Sequence, residues 1–96
     1  MGKPEGKVED YLISQCEKSG FLCYKFVSPG RRGVPDRIVI GRGHVVFIEL
    51  KSENGEPSEI QKLVMRRMRA AGADVRLCYT KPEVYRFMEE AESWQI

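Results

Sequence analysis

Apolar positions recur along the chain with two periods, and the switches between them lay out seven elements. Val8, Tyr11, Leu12 and Cys16 fall at helical spacing, which predicts an amphipathic helix over about 5–18, stopped by Gly20. Residues 21–27 are aromatic and β-branched enough for a strand, with Tyr24 and Phe26 expected in the core. A loop punctuated by glycine and proline follows, Ser28-Pro29-Gly30-Arg31-Arg32-Gly33. Two apolar runs, 36–40 and 45–51, then flank Gly41-Arg42-Gly43-His44, which is a hairpin signal. Ile60, Leu63, Val64, Arg67, Met68 and Ala71 trace a second helix, with Gly72 as its stop. Residues 74–79 make a short strand. Thr80-x-x-Glu83 is a capping box opening a last helix, whose Val84, Phe87, Met88 and Ala91 form one stripe.

The resulting order is α-β-β-β-α-β-α. Three strands on short connections form an antiparallel meander, while the third and fourth flank a helix and are expected side by side in parallel, through a right-handed crossover. This is an α/β fold with one mixed sheet flanked by helices. At 96 residues the chain is one domain, residues 1–96, with enough surface to bury for a single core.

Composition narrows the class. A chain 42% hydrophobic and 31% charged is neither a disordered tail nor a disulfide miniprotein. Its longest aliphatic and aromatic run, Val45-Val46-Phe47-Ile48, is far short of the ~20 residues of a membrane span. Residues 1–5 lack the apolar stretch of a signal peptide, so an intracellular, membrane-free protein is expected. Cys16, Cys23 and Cys78 are widely spaced among apolar neighbours, which fits free thiols in a reducing compartment. With no C-x-x-C pair and one histidine, no zinc site is expected.

Net charge is only +2, but the charges are segregated. Lys25, Arg31, Arg32, Arg37 and Arg42 face a single acid, Asp36, between 25 and 43; Lys62, Arg66, Arg67 and Arg69 form a second acid-free stretch. Segregation of this kind fits a polyanionic partner. A solvated helix face accounts equally well for the second stretch.

The chemistry starts with acids in awkward places. If Arg42-Gly43 is a two-residue turn, or 41–44 a four-residue loop, Gly41 faces His44 and Asp36 lies directly opposite Glu49. Their Cβ atoms are then roughly 4.5–5.5 Å apart on one face of the hairpin. Phe47, Glu49 and Lys51 alternate onto a common face. A three-residue loop would slip the pairing by one residue and separate the acids. Sheets avoid directly opposed like charges, so two facing carboxylates beside a lysine call for a divalent cation between them.

Pro35-Asp36 followed by Glu49-Leu50-Lys51 resembles the PD-(D/E)xK nuclease motif. The longer string Gly33-Val34-Pro35-Asp36-Arg37, Phe47-Ile48-Glu49-Leu50-Lys51 and Ser58-Glu59-Ile60-Gln61 resembles the VRR-NUC family within that superfamily, over residues 9–79. The resemblance implies a restriction-endonuclease-like fold and a Mg²⁺-dependent DNA endonuclease, with Mn²⁺ as substitute, of the stand-alone phage or bacterial type. It makes Asp36, Glu49 and the carbonyl of Leu50 the metal ligands. Lys51 positions or helps deprotonate the attacking water and stabilises charge on the phosphate. Mg²⁺ takes such hard oxygen ligands and keeps several waters. A lysine beside two acids keeps its charge, which suits electrostatic stabilisation better than general-base work.

In similar nucleases a glutamate on the first helix completes the metal site, which points to Glu9; complementing the helix dipole is its alternative role. The family also places a glutamine near the metal-bound water, which points to Gln61. Ser58-x-x-Gln61 is at the same time a capping box, in which the glutamine would only satisfy a backbone N–H. Arg31, Arg32 and Arg37 are the expected phosphate contacts, since arginine pairs phosphate bidentately. His44, at the hairpin tip, is expected in solvent. No base-reading motif is present, so recognition by DNA shape is expected.

With so little chain outside the core, a homodimer is expected to cover the substrate, and a two-fold dimer suits a Holliday junction. Branched DNA is therefore the expected partner, in the host-cell cytoplasm if the chain is phage-encoded. Flap or nicking activity, or a DNA-binding module that does not cleave, are the alternatives.

Overall fold

The computed structural model describes residues 4–95; Met1–Lys3, part of the stretch read above for a leader, lie outside them. Helix α1 spans Pro4–Ser19, β1 Leu22–Lys25, β2 Arg37–Gly41, β3 His44–Leu50, α2 Glu59–Ala70, β4 Asp74–Cys78 and α3 Lys81–Glu92. The four strands form one sheet in the order β1-β2-β3-β4. The first three pair antiparallel, and β4 joins β3 in parallel through α2. Both the element order and the mixed sheet are those expected from the pattern of apolar residues.

The sheet is covered unequally. On one face Val39, Val46, Ile48, Leu50 and Cys78 pack with Val8, Leu12 and Cys16 of α1 and with Val84, Phe87, Met88 and Ala91 of α3. Those helix residues are the stripes read from the sequence. On the other face α2 packs against β4. No helix among the described residues is long and apolar enough to cross a membrane.

This unequal cover corrects one expectation. Tyr24 is not in the core; it is 55% exposed. It shares a face with Ile38 and Phe47, and α2 does not reach that part of the sheet. Leu22 and Val45, on the same face, are also exposed. Phe26 is half-buried because its ring packs on Phe47, with centroids 5.2 Å apart. His44 is exposed as expected, yet its ring stacks on Trp94 at 4.3 Å. Cys16 and Cys78 are buried free thiols, and Cys23 is half-buried.

The β2–β3 turn fixes the site. Arg42 and Gly43 both have positive φ, 49° and 78°, which is the two-residue turn whose twist matches that of the strands. It pairs Gly41 with His44 and, at the far end, Arg37 with Ile48. The next residues along this register are Asp36 and Glu49.

Candidate active site

Pro35, fully buried, anchors the entry to β2 and delivers Asp36 to the open end of the hairpin. The Asp36 backbone oxygen accepts from Phe26 N at 2.9 Å, and its Oδ2 accepts from Leu50 N at 2.9 Å. Main chain and side chain are both held. Glu49 sits across from it on β3 and is 1% exposed, the one buried charged residue among the described residues. Burial together with the Asp36 charge pushes the Glu49 carboxyl up to about 7, although Lys51 works against the shift. Asp36 is also raised, mainly by burial, against the pull of the Leu50 N–H. Burial and the neighbouring like charge thus keep the Glu49 carboxyl protonated toward the neutral range.

The two oxygens of Glu49 have different surroundings. Oε2 accepts from Gln61 Nε2 at 3.0 Å and lies 3.5 Å from Lys51 Nζ. Oε1 is buried and has no hydrogen-bond partner. Lys51 is a quarter exposed, so its ammonium leans over the carboxylate from the solvent side.

Gln61 is positioned by the start of α2. Ser58 is its N-cap: Ser58 Oγ accepts from Gln61 N at 3.2 Å, and Gln61 Oε1 accepts from Ser58 N at 2.8 Å. Because Ser58 N–H can only donate, the oxygen end of the amide must face it, and the NH₂ end is left for Glu49. The sequence presented cap and site as alternatives for this residue. In the structure the one side chain makes the cap and also touches Glu49.

No family model matches this chain. Relatives are nonetheless found. "Putative nuclease p44" of Acyrthosiphon pisum secondary endosymbiont phage 1 is 43% identical over 72 residues, 74% of this chain and 77% of that protein. A solved structure described as a VRR_NUC domain superposes with a TM-score of 0.84 at 33% identity, covering 92% of this chain and 97% of the other. The chain belongs to the VRR_NUC family.

Within this VRR_NUC chain the donor set at Asp36 and Glu49 fits a hard divalent cation. The orphaned Oε1 is a buried carboxyl oxygen without a partner, which native structures rarely leave unsatisfied. Among the described residues no three His, Cys, Asp or Glu side chains converge as a ready cluster. An ion there would rest on two carboxylates, a backbone carbonyl and water, which is how Mg²⁺ is commonly held.

Glu9 is not brought into the carboxylate pair. Its Oε2 accepts from Arg37 Nε at 2.7 Å, although its charge still reaches Asp36 and helps raise that carboxyl. Arg37, read from the sequence beside Arg31 and Arg32, is thereby separated from them. Arg31 and Arg32 are exposed and line a cleft of about 590 Å³ with Pro29, Gly30 and Ile60, and this lining contains no acid. The Glu9–Arg37 pair carries no local sequence signal, because its partners are 28 residues apart.

Proposed function

We propose that this chain is a divalent-metal-dependent endonuclease that hydrolyses phosphodiester bonds in DNA. The observation that carries the reading is Glu49: a buried carboxylate with one unpartnered oxygen, facing Asp36 and touched by Lys51. Membership of the VRR_NUC family and the nuclease name of the phage relative support it.

Asp36, Glu49 and the Leu50 carbonyl are the proposed ligands of Mg²⁺, with Mn²⁺ as substitute. The bound ion supplies an acidified water and a polarised phosphate. Glu49 is oriented for this by Gln61, which occupies Oε2 and leaves Oε1 free. Lys51 sets its ammonium against the attacking water and the charge that builds on the phosphate oxygens. Water oxygen bonds to phosphorus, the bond to the departing sugar oxygen breaks, and a proton reaches that oxygen. Arg31 and Arg32 hold the flanking phosphates from a loop without acids. Arg37 and Glu9 act together at the edge of the site.

Branched DNA is the proposed substrate, and a homodimer the working form. Leu22, Tyr24 and Val45 leave an apolar sheet face uncovered, which favours a protein interface. A two-fold pair then presents two sites to the two scissile strands of a four-way junction. The host-cell cytoplasm is the proposed compartment.

The test is incubation of four-way, flap, nicked and linear DNA with Mg²⁺, Mn²⁺ or EDTA. Metal-dependent cuts concentrated in the branched substrates are expected. Binding without cleavage in either metal would instead make the chain a DNA-binding module.

A further inference from the structure

Two clefts lie near the end of β4, and neither is lined by Arg31 or Arg32. Lys51 N donates to Cys78 O at 3.1 Å, so β4 ends beside the catalytic lysine. The next residues, Tyr79 and Thr80, line a cleft of about 550 Å³ with Lys7, Glu53, Lys81 and Pro82. Lys81 and Pro82 also line a groove of about 490 Å³ between α1 and α3, with Tyr11, Tyr85, Arg86 and Glu89. The two hollows share Lys81 and Pro82 and so adjoin each other, and the nearer one begins where β4 ends beside Lys51.

The lining of this path has a specific chemistry. Lys7, Lys81 and Arg86 have no described carboxylate within ion-pair distance, whereas Arg76 of the adjacent β4 is held by Asp74 and Glu90. Lys81 Nζ lies 5.8 Å from the Tyr11 ring centroid, which holds the ammonium over the groove. Tyr85, one helical turn further on, is 52% exposed and has nothing stacked upon it among the described residues. Cations without partners, alternating with an open aromatic ring, are the elements of a single-strand binding track. Glu53 and Glu89 are the acids in the lining.

We propose that this groove carries an unpaired DNA strand away from the scissile phosphate, with a base stacked on Tyr85 and phosphates against Lys7, Lys81 and Arg86. The proposal rests on the nuclease reading and adds to it the unpaired arm of the substrate. It separates two DNA contacts, the Arg31–Arg32 loop and the α1–α3 groove, which share no lining residue. Glu89 limits how tightly the strand is held.

The test is anisotropy of fluorescent oligothymidylate bound to the full chain in EDTA, where no cutting occurs. Tyr85→Ala is expected to weaken binding about ten-fold, the scale of one lost base stack. Arg86→Glu should weaken it similarly and lower the salt slope by about one. Glu89→Lys should tighten it several-fold. All three positions are exposed, and unchanged melting of each variant checks the fold.

Affinity indifferent to Arg86→Glu and Glu89→Lys overturns the proposal, even if Tyr85→Ala fails to fold. So does photo-crosslinking of an iodouracil oligonucleotide to the 28–33 loop with none to α3. A Tyr85→Ala protein that loses dimer instead of DNA assigns the groove to a second copy of the chain, which also overturns it. If the groove binds as described but the protein cuts no DNA, the nuclease reading fails alone. If the protein cuts but ignores these substitutions, only the groove fails.

Discussion

Gln61 and Glu49 are tied by a 3.0 Å hydrogen bond that runs from the first turn of α2 to the middle of the carboxylate pair. The same glutamine closes the capping box on Ser58 with its other end. A helix start and the buried Glu49 carboxyl are thus fixed to each other through one amide. Lengthening or rotating either contact moves both.

That double use predicts the effect of Gln61→Glu. Glutamate serves the capping box as well as glutamine does. Its second oxygen, however, then faces Glu49 Oε2 where an NH₂ group stood. Cleavage is expected to fall 10- to 100-fold and the Mg²⁺ requirement to change, on the scale of losing a group that orients a ligand. Melting should barely move. An active Gln61→Glu protein with wild-type Mg²⁺ dependence would return this residue to the helix cap alone.

Ser58→Ala separates the two roles from the other side. It removes the hydroxyl that accepts from Gln61 N but keeps the backbone N–H that holds Gln61 Oε1. A stability loss of about 1 kcal/mol in urea unfolding is expected, with most of the activity kept. A loss of cutting out of proportion to the loss of stability would show that the hydroxyl itself positions the amide.

Much of this was legible in the sequence because the decisive features are local. Arg42-Gly43 sets the register, and the register places Asp36 against Glu49; both follow from four residues of turn chemistry. The stripes of α1 and α3 are equally local. What escaped reading depends on distance or on how far a helix reaches. Tyr24 has a core-like pattern, but α2 stops over β4 and leaves it in solvent. Arg37 reads from the sequence, with Arg31 and Arg32, as a phosphate contact, but α1 brings Glu9 to it. The Gln61 ambiguity could not be broken without knowing that the amide lies between two partners.

Glu49→Gln and Lys51→Ala test the site directly. Each should fold and bind DNA, and each should cut at least ~100-fold more slowly, the usual scale for removing a key electrostatic contributor. The check is single-turnover cleavage of a four-way junction beside a binding measurement in EDTA. Near-wild-type cutting by either variant would remove it from the site.

The raised carboxyls also make a prediction about stability without any substrate. Glu49 titrates at about 7 in the folded chain against an ordinary 4.5. Between those values the folded state holds a proton that the unfolded chain has released. Stability therefore falls as pH rises through that window, and the loss is complete above it. The shift corresponds to a cost on the order of 3 kcal/mol at pH 8. Asp36 is raised as well and adds to it in the same direction. In EDTA the wild-type protein should melt at a lower temperature at pH 8 than at pH 5. Glu49→Gln lacks the ionising group and should show a much flatter profile over the same range. Mg²⁺ should restore the wild-type protein at pH 8, by binding the folded state and offsetting the charge of the ionised carboxylates, and should do little for Glu49→Gln. Parallel pH profiles for the two proteins, or equal responses to Mg²⁺, would separate Glu49 from the cation.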